Sequence, residues 1–264
     1  MKKVIISVIV LVVLALAAFG LYVYNPSIFF PGDEVEIQQL DAHTWHGHGH
    51  LVYNESVYLI EGETSAILID AGTNIKGLRK TVEKIVNKPV SLIISHGHTD
   101  HIGSIGEWDT IWIHPADEGM LPASFEGKKR YLTNGQVFDL GGRQIEVIFT
   151  PGHTLGSTSF IDRDAHYGFS SDAFGSTNLL VFTDLKTELG SCILMDSIMQ
   201  QNDIRFLYPG HSAGDNIETP ERIHNLTTIC RGILDGSIQP NAEGNSSLPY
   251  VVDTLGLKVN YKVK

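Results

Sequence analysis

Ser95-His96-Gly97-His98-Thr99-Asp100-His101 decides how this 264-residue chain is read, and it follows directly on the apolar run Val90-Ser91-Leu92-Ile93-Ile94. The run reads as a buried strand, and the chemistry begins where it ends. Three imidazoles and a carboxylate packed this closely are the ligand types that zinc and other borderline metals prefer. His96 and His98 are two apart, so on extended backbone both side chains point the same way and can hold one ion. Asp100 and His101 then reach another place. One ion cannot take all four from so tight a loop without strain, which points to two ions side by side, as in metal-assisted hydrolysis.

Further ligand types stand downstream, each after a strand-like apolar run. They are His153 in Thr150-Pro151-Gly152-His153, Asp172 in Ser170-Ser171-Asp172, and His211 in Tyr208-Pro209-Gly210-His211. This set, in this order, resembles the metallo-β-lactamase-fold hydrolase superfamily over nearly all of the chain from about Glu36 onward. The resemblance implies an α/β fold, a four-layer αβ/βα sandwich. It also implies that His96, His98 and His153 hold a first metal, that Asp100, His101 and His211 hold a second, and that Asp172 bridges both. Asp70, in Ile67-Leu68-Ile69-Asp70-Ala71-Gly72, matches the superfamily's early aspartate behind the ligands. One departure is Ser171, where glycine commonly precedes the bridging aspartate. Two zinc ions are the expected cofactors, with iron or manganese as alternatives.

The reaction this implies is hydrolysis of a small ester, thioester, lactone or phosphoester by a hydroxide shared between the metals, with Asp100 also orienting the nucleophile or relaying a proton. Two other readings stand beside it: an extracytoplasmic metal-binding or ligand-binding module with an idle site, and a β-lactamase. True β-lactamases of this fold generally lack the bridging aspartate, so Asp172 points away from the last. Thioesterases of the glyoxalase II type usually carry a basic C-terminal region, absent here. Quorum-quenching lactonases place a Tyr shortly after that aspartate, where this chain has Ala173, Phe174 and Gly175. The subfamily stays open.

A net charge of −11 and a pI near 5.5 make an acidic surface that repels phosphate backbones, so a small-molecule substrate is expected and no nucleic acid. Lys128, Lys129 and Arg130 form a small basic cluster in a loop-like stretch, read first as a solvated face, with contact to an anionic substrate as the alternative. Lys2 and Lys3 precede an apolar run from Val4 to Tyr24, long enough to span a bilayer. With the positive end inside, residues 1–24 read as a membrane anchor, 25–34 as a linker, and 35–264 as an extracytoplasmic hydrolase domain. Cleavage near Ala15-Leu16-Ala17 would instead release a secreted protein. Export would permit Cys192 and Cys230 to pair, but two separate buried thiols suit their helical surroundings.

His43, His46, His48 and His50 form a second histidine group before the expected strand Leu51–Tyr53. It reads first as a glycine-loosened hairpin with exposed imidazoles. The alternative is that His46, His48 and His50 belong to a flap that contacts substrate or captures an extra ion. Elsewhere the patterns predict a helix from Asn74 to Val86, helices over 185–201 and 218–234, and a mixed set of short strands.

Overall fold

Strand β3 (Ser56–Glu61) turns Val57 and Leu59 one way and Tyr58 and Ile60 the other, and all four are buried. β4 (Ala66–Ile69) and β5 (Val90–Ile93) repeat this, with Ala66, Leu68 and Leu92 on one face and Ile67, Ile69 and Ile93 on the other. Burial on both faces is why these strands read as continuous apolar runs rather than alternating ones. The protein is described here by a computed structural model covering residues 34–212 and 216–262. The expected anchor, residues 1–24, and all of the linker but Glu34 lie outside the described residues. Among those described, no helix is long and apolar enough to cross a membrane.

β1 (Glu36–Asp41), β2 (Thr44–His48), β3, β4, β5, β6 (Thr110–Ile113) and β7 (Lys128–Tyr131) form the first sheet in that order. Its outer face is covered by α1 (Leu78–Val86), which buries Leu78, Val82 and Val86. The second sheet runs β13 (Phe206–Pro209), β11 (Tyr167–Ser171), β10 (Thr158–Asp162), β9 (Gln144–Phe149) and β8 (Val137–Asp139). Ile145, Val147, Phe160 and Phe169 face the first sheet across the central core. Ile148 and Ile161 face outward onto α3 (Leu185–Gln201) and α4 (Pro220–Asp235). The layers are therefore helix, sheet, sheet, helix, as expected. A third, small sheet of β12 (Asn178–Leu180), β16 (Leu257–Tyr261), β15 (Tyr250–Thr254) and β14 (Ala242–Glu243) packs Val252, Leu257 and Val259 against the same outer core.

Local chemistry sets the helix ends. Pro220 opens α4, Thr219 accepts from Arg222 N at 3.3 Å, and Gly236 closes it at φ 81°. α1 begins at Leu78 rather than near Asn74, because Gly77 adopts φ 65° and breaks the turn. Glu107 then accepts from Gly77 N and Arg79 N at 2.7 and 2.8 Å, acting as a cap supplied from another element.

Three expectations are corrected. Lys128–Tyr131 is an edge strand, and its exposed charged residues hid it from any alternation pattern while guarding the edge. Leu51–Tyr53 is a turn, and the histidine-bearing Thr44–His48 is itself the second strand. Its glycine and imidazoles lower the β signal, but Gly47 sits so close to Val35 and Val57 that any side chain there would collide. The short β12 and β14 carried no readable pattern. Cys192 and Cys230 are free and buried.

Arg143 clasps the two sheets. Its guanidinium reaches Asp162 Oδ2 at 2.6 Å and Thr44 Oγ1 and the Tyr167 hydroxyl at 2.9 Å, and it also donates to the carbonyls of His43 and Glu61. Asp162 is 1% exposed, so Arg143→Ala strands a buried carboxylate. The expected cost is about 3 kcal/mol, a fall in Tm of roughly 10 °C by calorimetry. A shift under about 2 °C would show that the clasp does not hold the sheets.

Candidate metal centre

The carboxyl ends of β4, β5, β9, β11 and β13 all open on one edge of the sandwich, where α/β sheets commonly place their ligands. β4 ends in Asp70, β5 in the 95–101 turn with α2 (Thr99–Ile102), β9 in Thr150–His153, β11 in Asp172 and β13 in His211. The fold therefore brings together every residue of the expected set.

His98 Nδ1 lies 3.1 Å from His96 Nε2 and 2.8 Å from His153 Nε2, so three ring nitrogens face one point. Asp172 stands between this group and the next. Its Oδ2 is 3.4 Å from His153 Nε2, 3.8 Å from His96 Nε2 and 3.3 Å from His211 Nε2, and its Oδ1 is 3.6 Å from His101 Nε2. Asp100 Oδ2 closes the second group, 3.7 Å from His101 Nε2 and 3.4 Å from His211 Nε2. Donor atoms around a tetrahedral zinc at about 2.0–2.1 Å lie roughly 3.3 Å apart. These separations, 2.8–3.8 Å, bracket that spacing to within about half an ångström.

Hydrogen bonds behind the rings fix their tautomers. Carbonyl and carboxylate oxygens only accept, so Nδ1 carries the proton in His153, which donates to Leu180 O at 2.8 Å, in His211, which donates to Tyr53 O at 3.3 Å, and in His101, which donates to Asp70 Oδ2 at 2.8 Å. Ser95 Oγ gives its proton to Asp70 Oδ2 at 2.7 Å and accepts from His96 Nδ1 at 3.1 Å. Each inward Nε2 is thereby the ring's second nitrogen, the one a ligating histidine turns towards the metal.

Burial pushes the pKa of His96 well below its ordinary value, that of His98 down to about 4, and that of His153 down as well, so these imidazoles are neutral near pH 7. Burial also opposes charge on His101, but Asp172, Asp100 and Asp70 outweigh it and hold the pKa well above normal. His211 is raised against burial by Asp172, and Asp172 is held well below the carboxylate range, against burial, by His211 and His101. That half of the site demands positive charge. Among the described residues, His101 Nε2 and Asp172 Oδ1 are buried with no hydrogen-bond partner, and a cation between them would satisfy both. The donor set therefore fits a metal pair.

Three positioning features were not foreseen, those of Asp117, Gly210 and Glu188, and a fourth, Ser171, was marked only as a departure from glycine. Asp117, 2% exposed, accepts from Gly97 N at 2.9 Å, Gly156 N at 2.9 Å and Thr154 Oγ1 at 2.7 Å, tying the His96–His98 turn to the His153 turn. Gly210 lets the His211 turn approach β11, since a Cβ there would meet Asp172 Oδ1. Ser171 adopts φ 47°, which explains why glycine suits that position, and its hydroxyl donates to Asp70 Oδ2 at 3.1 Å. Glu188, fully buried on α3, packs beneath Gly152 and accepts from the Cys192 thiol at 3.3 Å.

Burial pushes the Glu188 pKa up to about 8. A folded value above the unfolded one contributes stability that is complete below about pH 4.3 and is lost as pH rises towards 8. Glu188→Gln is therefore expected to flatten the decline of Tm between about pH 5 and 8. Parallel wild-type and variant curves would contradict it.

The hollow before these residues, about 530 Å³, is lined by Val52, Tyr53, Met120, Leu180 and Phe182. Phe182 packs edge-on to both His98 and His153 at 5.4 Å. A second hollow shares Tyr53, Leu180 and the centre, and adds Asn178, Asn216, Asn245 and Asn260. Among the described residues, neither hollow is lined by Lys or Arg. Against the first reading of exposed imidazoles, His46 is buried against Ser56 Oγ and Tyr58, while His48 and His50 lie beside Glu36. None of the three lines either hollow. The residues that do so from this segment are Val52 and Tyr53.

Residues 50–211 match the family described as the metallo-beta-lactamase superfamily. An uncharacterized protein of Mycobacterium tuberculosis is 28% identical over 194 residues, spanning 61% of this chain and 86% of that protein. The human acyl-coenzyme A thioesterase MBLAC2 is 22% identical over 201 residues, 59% of this chain and 72% of that one. A probable metallo-hydrolase of Bacillus subtilis is 25% identical over 149 residues, 47% and 71%. In fold, a metallo-beta-lactamase from Pontibacter korlensis superposes with TM-score 0.62 at 15% identity, covering 75% of this chain and 99% of that one.

Proposed function

The chain belongs to the metallo-beta-lactamase superfamily, and from that premise we propose a metal-dependent hydrolase acting on a small uncharged ester, thioester or lactone. The observation that carries the proposal is the convergence of five imidazoles and two carboxylates, with His101 Nε2 and Asp172 Oδ1 left without hydrogen-bond partners among the described residues. In this reading His96, His98 and His153 would hold one zinc ion, Asp100, His101 and His211 the other, and Asp172 both. Iron or manganese would suit the same donors. When bound, such a pair supplies Lewis acidity and lowers the pKa of water towards neutrality.

The chain's own groups do the rest. Asp100 faces the hollow and can orient a water molecule or carry its proton. Met120, Phe182, Val52 and Leu180 would seat an apolar acyl chain and keep bulk water away. Asn178, Asn216, Asn245 and Asn260 offer neutral donors and acceptors for the other end. The lack of a lining Lys or Arg among the described residues favours uncharged acyl substrates over phosphoesters. Likeness to a thioesterase and a metallo-hydrolase supports the hydrolase class.

The test is a panel of uncharged esters, thioesters and lactones set beside β-lactams and phosphodiesters, before and after chelation. Acyl substrates should lead, with kcat/KM falling on the order of 100-fold or more on chelation and returning with zinc. Turnover that survives exhaustive chelation would refute the proposal, and so would zinc-loaded protein inert across the panel. The proposal retains extracytoplasmic placement through residues 1–24, checked by protease accessibility on intact cells.

A further inference from the structure

Glu36 and His48 are direct cross-strand partners in the β1–β2 ladder, and His50 follows His48 by two residues. Partners opposite one another hold their Cβ atoms about 5 Å apart, so this placement gathers three side chains at one point on the sheet edge. Glu36 Oε2 lies 3.7 Å from His48 Nε2 and 3.9 Å from His50 Nε2, and the two rings meet edge-on at 5.1 Å. His48 Nδ1 donates to Gly49 O at 3.3 Å, which leaves its Nε2 as a lone pair aimed at Glu36. One donor atom from each residue falls within 4.8 Å of the others. Two imidazole nitrogens and a carboxylate oxygen, partly exposed and open to water for the remaining position, make a zinc-type donor set. His46 takes no part, since its ring is held by Ser56 Oγ and Gln38 Nε2 inside the sandwich.

We propose that Glu36, His48 and His50 bind a separate divalent cation of the zinc class, which fixes the loop that overhangs the hydrolytic centre. The loop starts at this cluster. Gly49 N donates to Glu55 O at 2.9 Å, closing its base, and Tyr53 and Asn54 both adopt left-handed backbone, at φ 50° and 56°. Consecutive left-handed residues other than glycine are costly and need outside support. From the loop's tip, Tyr53 O accepts from His211 Nδ1, and Val52 and Tyr53 line the hollow. An ion at the base would tie edge strand β1 to the end of β2 and hold that overhang in place.

Equilibrium dialysis of chelator-stripped protein against zinc tests this. Glu36→Gln and His50→Gln should each carry one zinc fewer than wild type, whereas His224→Gln, paired with Asp196 on the opposite side of the fold, should carry the full number. Because the reading is a difference, it does not depend on how many ions the main centre holds. Equal zinc in wild type and both variants would overturn the site. Zinc should also slow hydrogen exchange across residues 49–55 more in wild type than in Glu36→Gln. Equal slowing would overturn the loop's dependence on this ion.

Discussion

Asp172→Ala is expected to abolish hydrolysis and strip metal in one step. In the proposed centre Asp172 lies within 4 Å of four inward-facing nitrogens, those of His96, His101, His153 and His211. Without it, two cations would lose the carboxylate between them, and the charge that raises His101 and His211 would be reduced. Losing several kcal/mol of transition-state stabilisation lowers kcat/KM by on the order of 10³-fold or more. His98→Ala should act alike, since His98 Nδ1 is the meeting point of the first group. Metal content and rate measured on the same preparation decide it: either variant with full zinc and wild-type kcat/KM sinks the ligand assignment.

Asp70→Ala is expected to cost both affinity and stability although its carboxylate would touch no metal. Asp70 sits at φ 64°, 1% exposed, and its oxygens accept from Ser95 N at 2.7 Å, Ser95 Oγ at 2.7 Å, His101 Nδ1 at 2.8 Å and Ser171 Oγ at 3.1 Å. Removing it leaves those buried donors unmatched and frees the His101 ring to turn. Zinc affinity should fall about 10- to 100-fold, with about 3–5 kcal/mol lost from folding stability. Asp70→Asn keeps the volume and should recover part of the stability, but its NH2 would face a donor, either Ser95 N–H or the His101 ring. Wild-type zinc affinity in Asp70→Ala would remove Asp70 from its supporting role.

The layers and the gathered ligands were legible because strong local patterns carried them. Two-sided burial made β3, β4 and β5 continuous apolar runs, and the 3.6-residue spacing with Pro220 and Gly236 marked α4. The candidate ligands follow strand ends, so finding the strands placed His153, Asp172 and His211 on one edge. What escaped depended on tertiary partners. Lys128–Tyr131 becomes a strand only by pairing with β6, and α1 starts late because Gly77 turns left-handed above the Glu107 cap. Asp117 looks like any surface acid in Pro115-Ala116-Asp117-Glu118, and only the fold brings Gly97, Thr154 and Gly156 to it. The histidine group was visible, but no pattern in sequence could pair His48 with Glu36 across a ladder whose register the hairpin sets.

Anomalous diffraction at the zinc edge, from crystals of zinc-loaded protein, tests the central claim most directly. Two peaks are predicted on the sandwich edge, one among His96, His98 and His153 and one among Asp100, His101 and His211, with Asp172 reaching both. A map with no peak in that hollow, or with a single ion that leaves His101 Nε2 and His211 unbound, would contradict it.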